Sequence, residues 1–534
     1  MDTNNQVFEK EKTARTLSKP LFSLTAGDTV FAISALVVCV FLSLFGIFSG
    51  FAFGYFLSAT LMIIMFTAYF LAGGKARFLS VLCGLLSLGT NVIFICTTNG
   101  SVRFFGVIIG LLLSLVCFDG LVNGTAKGNR QTLGIFYSAA SAFGNIAVTL
   151  KSIFTGKNGN KKVIGKVLIG LLCAIPVLIV VLPLLISSDD AFRGMMSNIF
   201  DNTFLFILKF IIGIAICPII ISYGFSLKSR RVSKIKNSNF KGIENVYLVS
   251  FLSAISLCYV LYLFSQLAYF FSAFRGFLPD GEITYAQYAR KGFFEMCVIA
   301  VINLVIVFSA LLLAKKKNGK VSHSIKAITT FISLFTMIII ATAISKMVLY
   351  IDAYGMTILR VTTSAFMIFL SIVFISVILR IYIKKINIVK TALITAGSIV
   401  LILGIFNVNS VCARYNYESY ENGKLRTIDI EALYDLGEEG VPYLVKLADS
   451  KEKEIAQVAK RYLAAAYLYG YFDDMYDAES FTVDDLKKNQ EGKGFEHFSI
   501  PKSKAYNELY KYIENNPQFS SECQGYITEL ENSY

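Results

Sequence analysis

The chain has 534 residues, 55% hydrophobic and only 16% charged, with no tryptophan; an ordinary soluble domain carries about 25% charged residues, so a soluble globule is excluded. The formal net charge of +14 is the sum of two unlike parts, +23 over residues 1–413 and −9 over residues 414–534. The positive charge lies in short loops between apolar runs, so it reports membrane orientation and excludes a nucleic-acid reading.

Residues 1–27 form a polar N-terminal tail carrying Lys10, Lys12, Arg15 and Lys19. The apolar run behind them is long and lacks a convincing small-residue cleavage site. It therefore reads as an uncleaved first span. Eleven spans are expected, near 29–49, 51–72, 78–97, 104–122, 167–186, 203–225, 246–272, 293–314, 327–349, 358–380 and 391–411. Gly46, Gly50 and Gly54 stand four apart where the first two meet, which predicts a tight hairpin. Thr132–Phe154 is only moderately apolar and has basic residues on both sides. It is expected to lie in the cytoplasmic interface. Were it a span, every later loop would change sides.

With the N-terminus inside, the cytoplasmic segments carry 28 Lys and Arg; the outer loops carry five, namely Arg103, Arg193, Arg275, Arg290 and Lys291. That asymmetry fixes an N-in, C-out reading. The expected architecture is all-α: a polytopic plasma-membrane bundle over residues 28–413, then an acidic extracytoplasmic domain over 414–534. Helices are expected in that domain at Asp429–Asp435, Val441–Ala448 and Glu452–Phe472. Further starts are expected at Thr482 and at Ser499-Ile500-Pro501. Fifteen of the 28 tyrosines lie there, which marks a Tyr-rich packing or docking face. The cysteines are scattered singly with no Cys-x-x-Cys, which disfavours a zinc or redox site. Cys412 and Cys523 are the pair that a disulfide could join.

The unusual polar residues converge on the outer face. Ser187-Ser188-Asp189-Asp190-Ala191-Phe192-Arg193 opens a short surface helix, with Ser187 and Asp190 at capping-box spacing. Pro279-Asp280-Gly281 is turn chemistry. Thr284 and Gln287 then start a helix through Tyr285, Tyr288, Arg290 and Glu295 into an apolar run. Asp352 and Arg360 flank a third outer loop. Lys209, Glu295 and Lys346 lie a turn or two inside the membrane, where ionisable groups pair or face a wet cavity. Glu295 is expected to pair with Lys346 or Lys209. Lysines near span ends also snorkel, so a purely structural network explains the same residues. Asp189-Asp190 alone is weak support for a divalent cation. Asp119, Gln266 and Asn303 within spans read as hydrogen-bonded helix contacts. Histidine catalysis within the spans is disfavoured, since only His323 and His497 occur. No phosphate loop, nucleophile elbow or His-Glu-x-x-His motif appears, and no cofactor or metal is expected.

Three functions compete. The leading one is a non-enzymatic sensor or interaction protein facing the envelope, whose outer charge cluster docks the tail domain. Its partners are the lipid bilayer and an envelope protein or lipid-linked molecule. The second is an ion-coupled transporter using Lys209, Glu295 and Lys346, aided by Pro176, Pro183 and Pro218 within spans; no inverted repeat is visible to support it. The third is an enzyme for lipid-linked substrates, with Asp189, Asp190 and Glu295 as acids or bases.

Four segments carry a family resemblance. They are Ser187–Arg193, Tyr285-Ala286-Gln287-Tyr288-Ala289-Arg290-Lys291-Gly292-Phe293-Phe294-Glu295, Leu349–Arg360 and Ala413-Arg414-Tyr415-Asn416. Together they resemble the bacterial membrane family called domain of unknown function 4173, with a related family numbered 4153. The resemblance runs from the fourth span to the outer domain. It implies a bacterial plasma-membrane protein from a Gram-positive-like lineage, and it implies no reaction and no catalytic residue.

Overall fold

A computed structural model describes residues 24–48, 50–72, 77–124, 129–154, 203–230, 242–275, 293–315, 321–383, 385–468 and 495–531, with positions 177 and 181. The described residues are helical throughout and divide into two compact units. One unit comprises residues 1–88, 114–126 and 133–235; the other comprises 89–113, 127–132 and 236–534.

The first unit is built on α1 (Ala26–Phe41, continued by a π-helical turn over Leu42–Ile47), α2 (Phe53–Leu71), and parts of α3 (Phe78–Cys96) and α4 (Gly100–Val122). It also holds most of α5 (Asn129–Ser141), then α6 (Ile146–Phe154) and α7 (Thr203–Lys228). Thr25 and Asp28 form a reciprocal capping box that starts α1, satisfying amide groups that a helix start leaves unpaired. Asp28 is only 5% exposed. Its Oδ1 accepts from Tyr69 at the end of α2 (2.7 Å) and from Lys228 at the end of α7 (2.6 Å). One carboxylate thus ties three helix ends, and Lys228 lies 4.5 Å from the centre of the Tyr69 ring. Beneath it Phe31 stacks on Tyr69 with ring centres 4.0 Å apart, and Phe66 packs among Phe70, Phe118 and Tyr223. A short 3-10 turn, Ala142–Asn145, joins α5 to α6. Ser222 donates to the Ala142 carbonyl (2.8 Å), and Asn145 donates to Ser226 (3.0 Å). The middle of the 129–154 rod therefore rests on the last two turns of α7, beside Lys228.

The second unit contains α8 (Asn245–Arg275), α9 (Phe293–Leu313), α10 (His323–Tyr354), α11 (Ile358–Tyr382) and α12 (Ile388–Ile405). Phe293, Met296 and Ala300 of α9 pack on Phe335, Ile339, Ile340 and Ala343 of α10 and on Met367, Leu370 and Phe374 of α11. One polar chain crosses this core. Tyr259 of α8 donates to Asn303 of α9 (2.5 Å), which donates to Thr336 of α10 (2.9 Å). An amide inside a span is thereby satisfied by neighbouring helices.

After α12 the chain turns through Asn407 into α13 (Val408–Glu421), α14 (Ile430–Tyr434), α15 (Val441–Ala448), α16 (Lys453–Leu468), α17 (Ile500–Asn515) and α18 (Pro517–Glu531). These tail helices share one hydrophobic core with the ends of the spans. It runs from Ile93 of α3, Val102 of α4 and Val400 of α12 through Cys412 to Leu433, Leu444, Leu463, Leu509 and Phe519. Cys412 and Cys523 are both free thiols in this core. Burial pushes each up to about 12, so neither is a reactive thiolate.

Among the described residues eleven helices are long and apolar enough to cross a membrane. Ten coincide with expected spans. The eleventh is Gln131–Ile153, the segment expected in the interface. The expected span near 167–186 lies outside the described residues apart from positions 177 and 181, as do the turn at 279–281 and the helix start at Thr482.

Candidate functional site: the joint between spans and tail

The loop Thr97-Thr98-Asn99 connects α3 to α4, and it is buried: Thr97 is 0% and Asn99 8% exposed. A buried loop has to satisfy its backbone groups with protein partners. Asn99 supplies part locally, its side chain accepting from Val102 N as the cap of α4 (2.9 Å). Arg103, one turn into α4, reaches back and donates to the carbonyls of Thr97 (2.7 Å) and Phe94 (3.0 Å). It thereby caps the end of α3, where a cation is favoured by the helix dipole.

The remaining partners come from the tail. Glu439 is 3% exposed. Its Oε1 accepts from Thr98 N (3.0 Å) and Thr97 Oγ1 (3.4 Å), and its Oε2 accepts from Thr98 Oγ1 (2.6 Å). Asn99 donates to Asn409 (2.7 Å), which donates to the Leu436 carbonyl (3.0 Å). Asn407 donates to the Cys96 carbonyl (2.9 Å) while its Oδ1 accepts from Ser410 N as the cap of α13. The charge of Arg103 faces Glu438 and Glu439. Burial is the main influence on Glu438 and pushes its carboxyl up; Glu439 adds to this, while Lys502 and a hydrogen bond with Thr98 oppose it. The turn that presents the two glutamates depends on glycine. A Cβ on Gly440 would collide with the Leu433 carbonyl oxygen.

A second contact lies where α10 gives way to α11. Gly355 ends α10 with φ +77°, and a Cβ there would meet Asn416 Oδ1 at 2.7 Å. Asn416 of α13 bonds Met356 twice, accepting from its N–H (2.6 Å) and donating to its carbonyl (2.8 Å). Asp352 pairs with Lys424 at 2.7 Å, with Tyr415 hydrogen-bonded to both. Arg360 donates to the Tyr354 and Gly355 carbonyls and lies 4.0 Å over the Tyr350 ring. The Asp352–Lys424 pair is half exposed, and such pairs contribute about 0–1 kcal/mol. The buried donors on Glu439 carry the larger share, since a hydrogen bond to a charged group contributes about 1.5–3 kcal/mol.

Of the sequence-predicted site residues, Asp352 and Arg360 are therefore at the joint, Arg360 as a helix cap. Lys346 is buried, two turns before the end of α10. Glu295 is exposed and has no ion pair among the described residues. The expected Glu295–Lys346 pair is not formed, because α9 buries Phe293, Met296 and Ala300 and leaves Glu295 off that face. Its place in the first turn of α9 lets the helix dipole stabilise it without a partner. Lys209, in the first unit, lies 5.8 Å over the Phe48 ring. Asp189, Asp190, Arg193, Tyr285, Tyr288 and Arg290 lie outside the described residues.

Sequence reasoning missed Thr97, Thr98, Asn99, Arg103, Asn407, Asn409, Glu438 and Glu439. Their signal was polar interruption: Thr97–Asn99 and Asn407–Asn409 break apolar runs at matching ends. Among the described residues no three His, Cys, Asp or Glu side chains gather as a metal ion would need. The arrangement is a buried joint in which a tail carboxylate accepts hydrogen bonds from a loop between two candidate spans.

Searches of curated proteins and of solved structures find no match. Among families, the match is to 4153, the relative of the 4173 family to which the motifs were likened. Residues 56–447, nearly three quarters of the chain and both halves of the joint, match the family described as Domain of unknown function (DUF4153), and the chain belongs to that family.

Proposed function

We propose that this is a sensor or interaction protein of a bacterial plasma membrane, with its tail domain facing the envelope and rigidly coupled to the spans. The observation that carries the reading is Glu439, a tail carboxylate buried against the loop between α3 and α4. A tail that shares its core and buried hydrogen bonds with span ends transmits force to them. A tail on a flexible linker does not. The outward orientation is supported by the 28-to-five asymmetry of Lys and Arg. It is also supported by the 129–154 rod, whose middle meets the end of α7 and not its centre. The family match carries no activity with it and takes in both halves of the joint.

Two measurements test this. Ser521→Cys, exposed on α18, is expected to react with a membrane-impermeant maleimide in intact cells. Protection there, with labelling after permeabilisation, would put the tail inside and overturn the envelope-facing role. Glu439→Ala at normal abundance is expected to reproduce the phenotype of deleting residues 408–534. Wild-type behaviour of that variant, against a clear deletion phenotype, removes the coupling.

Transport remains the rival because Lys346 and Asn303 are buried among α8–α11. Lys346→Met, normal in abundance and without phenotype, excludes it.

A further inference from the structure

Among the described residues of the tail, 412–531, the large hydrophobic side chains left exposed are Phe495 (51%), Phe498 (47%) and Ile500 (53%). All three fall within six residues, at the entry to α17, while Ser499 and Pro501 between and behind them are buried. Three large hydrophobics exposed together, where the other described ones of this acidic domain are buried or partly buried, mark a contact.

The position of this stretch identifies the contact. The first turn of α17 packs on the Gly437–Glu439 turn, and Lys502 faces Glu438. Glu438 and Glu439 in turn hold Thr98 and Thr97, the loop at which α3 ends and α4 begins. The exposed stretch is thus tied to the level where two spans leave the apolar layer. At that same level α4 exposes Phe104 (61%) and Phe105 (52%), and α12 exposes Ile405 (47%) and Phe406 (68%). In a chain without tryptophan, phenylalanines at span ends form the interfacial belt. The exposed Lys504 follows, one turn from the apolar side chains, where lipid phosphates would meet it.

We propose that Phe495, Phe498 and Ile500 are a lipid-contact edge of the tail domain. They bed into the headgroup–acyl boundary of the leaflet on the tail's side, with the exposed Lys504 against its phosphates. The inference rests on the helices crossing a bilayer and on the joint, and it holds for either orientation of the chain. Functionally it gives the tail a second support: the joint fixes it to the spans, and this edge couples it to the leaflet.

The absence of tryptophan supplies a clean test with the full chain. Phe498→Trp, and separately Ile500→Trp, each create a single emitter. Ser521→Trp on α18, which packs on α16 and α17, is the reference. The proteins are reconstituted into phosphatidylcholine–phosphatidylglycerol vesicles with and without lipids brominated near the upper acyl chain. Both stretch variants are expected to lose about half their emission or more in brominated vesicles. The Ser521→Trp reference should stay bright there and be quenched by aqueous iodide instead. Iodide quenching of the Phe498→Trp and Ile500→Trp proteins without bromolipid quenching would show the stretch in water and overturn the proposal. Protection from both quenchers would overturn it too, by showing a protein cover from residues 469–494 or a second copy.

Discussion

At the scale of single residues, Glu438 and Glu439 divide the work of the joint. Glu439 is surrounded by three donors from Thr97 and Thr98, and removing it strands a backbone N–H and two hydroxyls in a buried loop. Such groups cost about 1–3 kcal/mol each when left unpaired. Glu438 is half-buried with less compensation, and desolvation raises its carboxyl above the ordinary 4.5. The folded joint therefore holds a proton on Glu438 more readily than the unfolded chain does. Its contribution is fully present below the unfolded value of 4.5 and is lost as pH rises through the folded value. The joint should hold more tightly in mild acid than at neutrality. Hydrogen exchange at residues 97–103 and 430–448 is expected to slow as pH falls towards 5, after correction for intrinsic rates. In Glu438→Gln that part of the pH dependence should vanish; Asp435, also raised by burial and by Glu431 and Asp429, would remain. An unchanged slope in the variant would remove Glu438 from the account. None of this was legible in sequence. Two adjacent glutamates in a domain of charge −9 read as solvated, and their partner loop lies 341 residues away.

Among elements, the spans were legible and the joint between them was not. A run of twenty apolar residues has one cheap resting place, so ten expected spans reappear as helices. Tail helices with local punctuation were equally readable: Val441–Ala448 starts behind Gly440 with Pro442 in its first turn, and Ser499 precedes α17. The last span was read to 411, whereas α12 ends at Ile405 and the chain kinks at Asn407. Hydropathy counts Val408 and Val411 as more span. The kink comes from Asn407 adopting φ 50° so that its side chain can reach the Cys96 carbonyl, a tertiary event. The left-handed conformation costs a non-glycine residue about 1–2 kcal/mol. Asn407→Gly keeps the turn and loses two hydrogen bonds; Asn407→Ala loses both and keeps the strain. The alanine variant is expected to melt at lower temperature than the glycine variant, by a difference of about 1 kcal/mol. Equal stability of the two would mean that the strain is not held in the folded state. The Glu295–Lys346 expectation failed for a related reason. Sequence places both charges near the same end of two neighbouring spans but does not say which face of α9 meets α10.

For the molecule as a whole, the question is one of parity. Gln131–Ile153 is apolar and long enough to span; if it did, every later helix would be inverted and the tail would face the cytoplasm. Where the rod meets α7 bears on the choice. Ala142 and Asn145, near the middle of the rod, bond Ser222 and Ser226. With a rise of about 1.5 Å per residue, those serines lie within about 3–9 Å of Lys228 along α7. A segment centred on the midplane would instead meet α7 near Ile214–Cys217, about 17–21 Å from that end. An interfacial rod would keep its two ends on one side. The variants Asn129→Cys and Lys151→Cys, at opposite ends of the rod, are expected to stay unlabelled by an impermeant maleimide in intact cells. Both should label in inside-out vesicles. A spanning rod would put these two introduced thiols on opposite sides and the tail thiol of Ser521→Cys on the side of the N-terminus. Lys151→Cys and Ser521→Cys therefore have to switch sides together while Asn129→Cys stays protected, and labelling of both or of neither would require a different number of crossings between Lys151 and the tail.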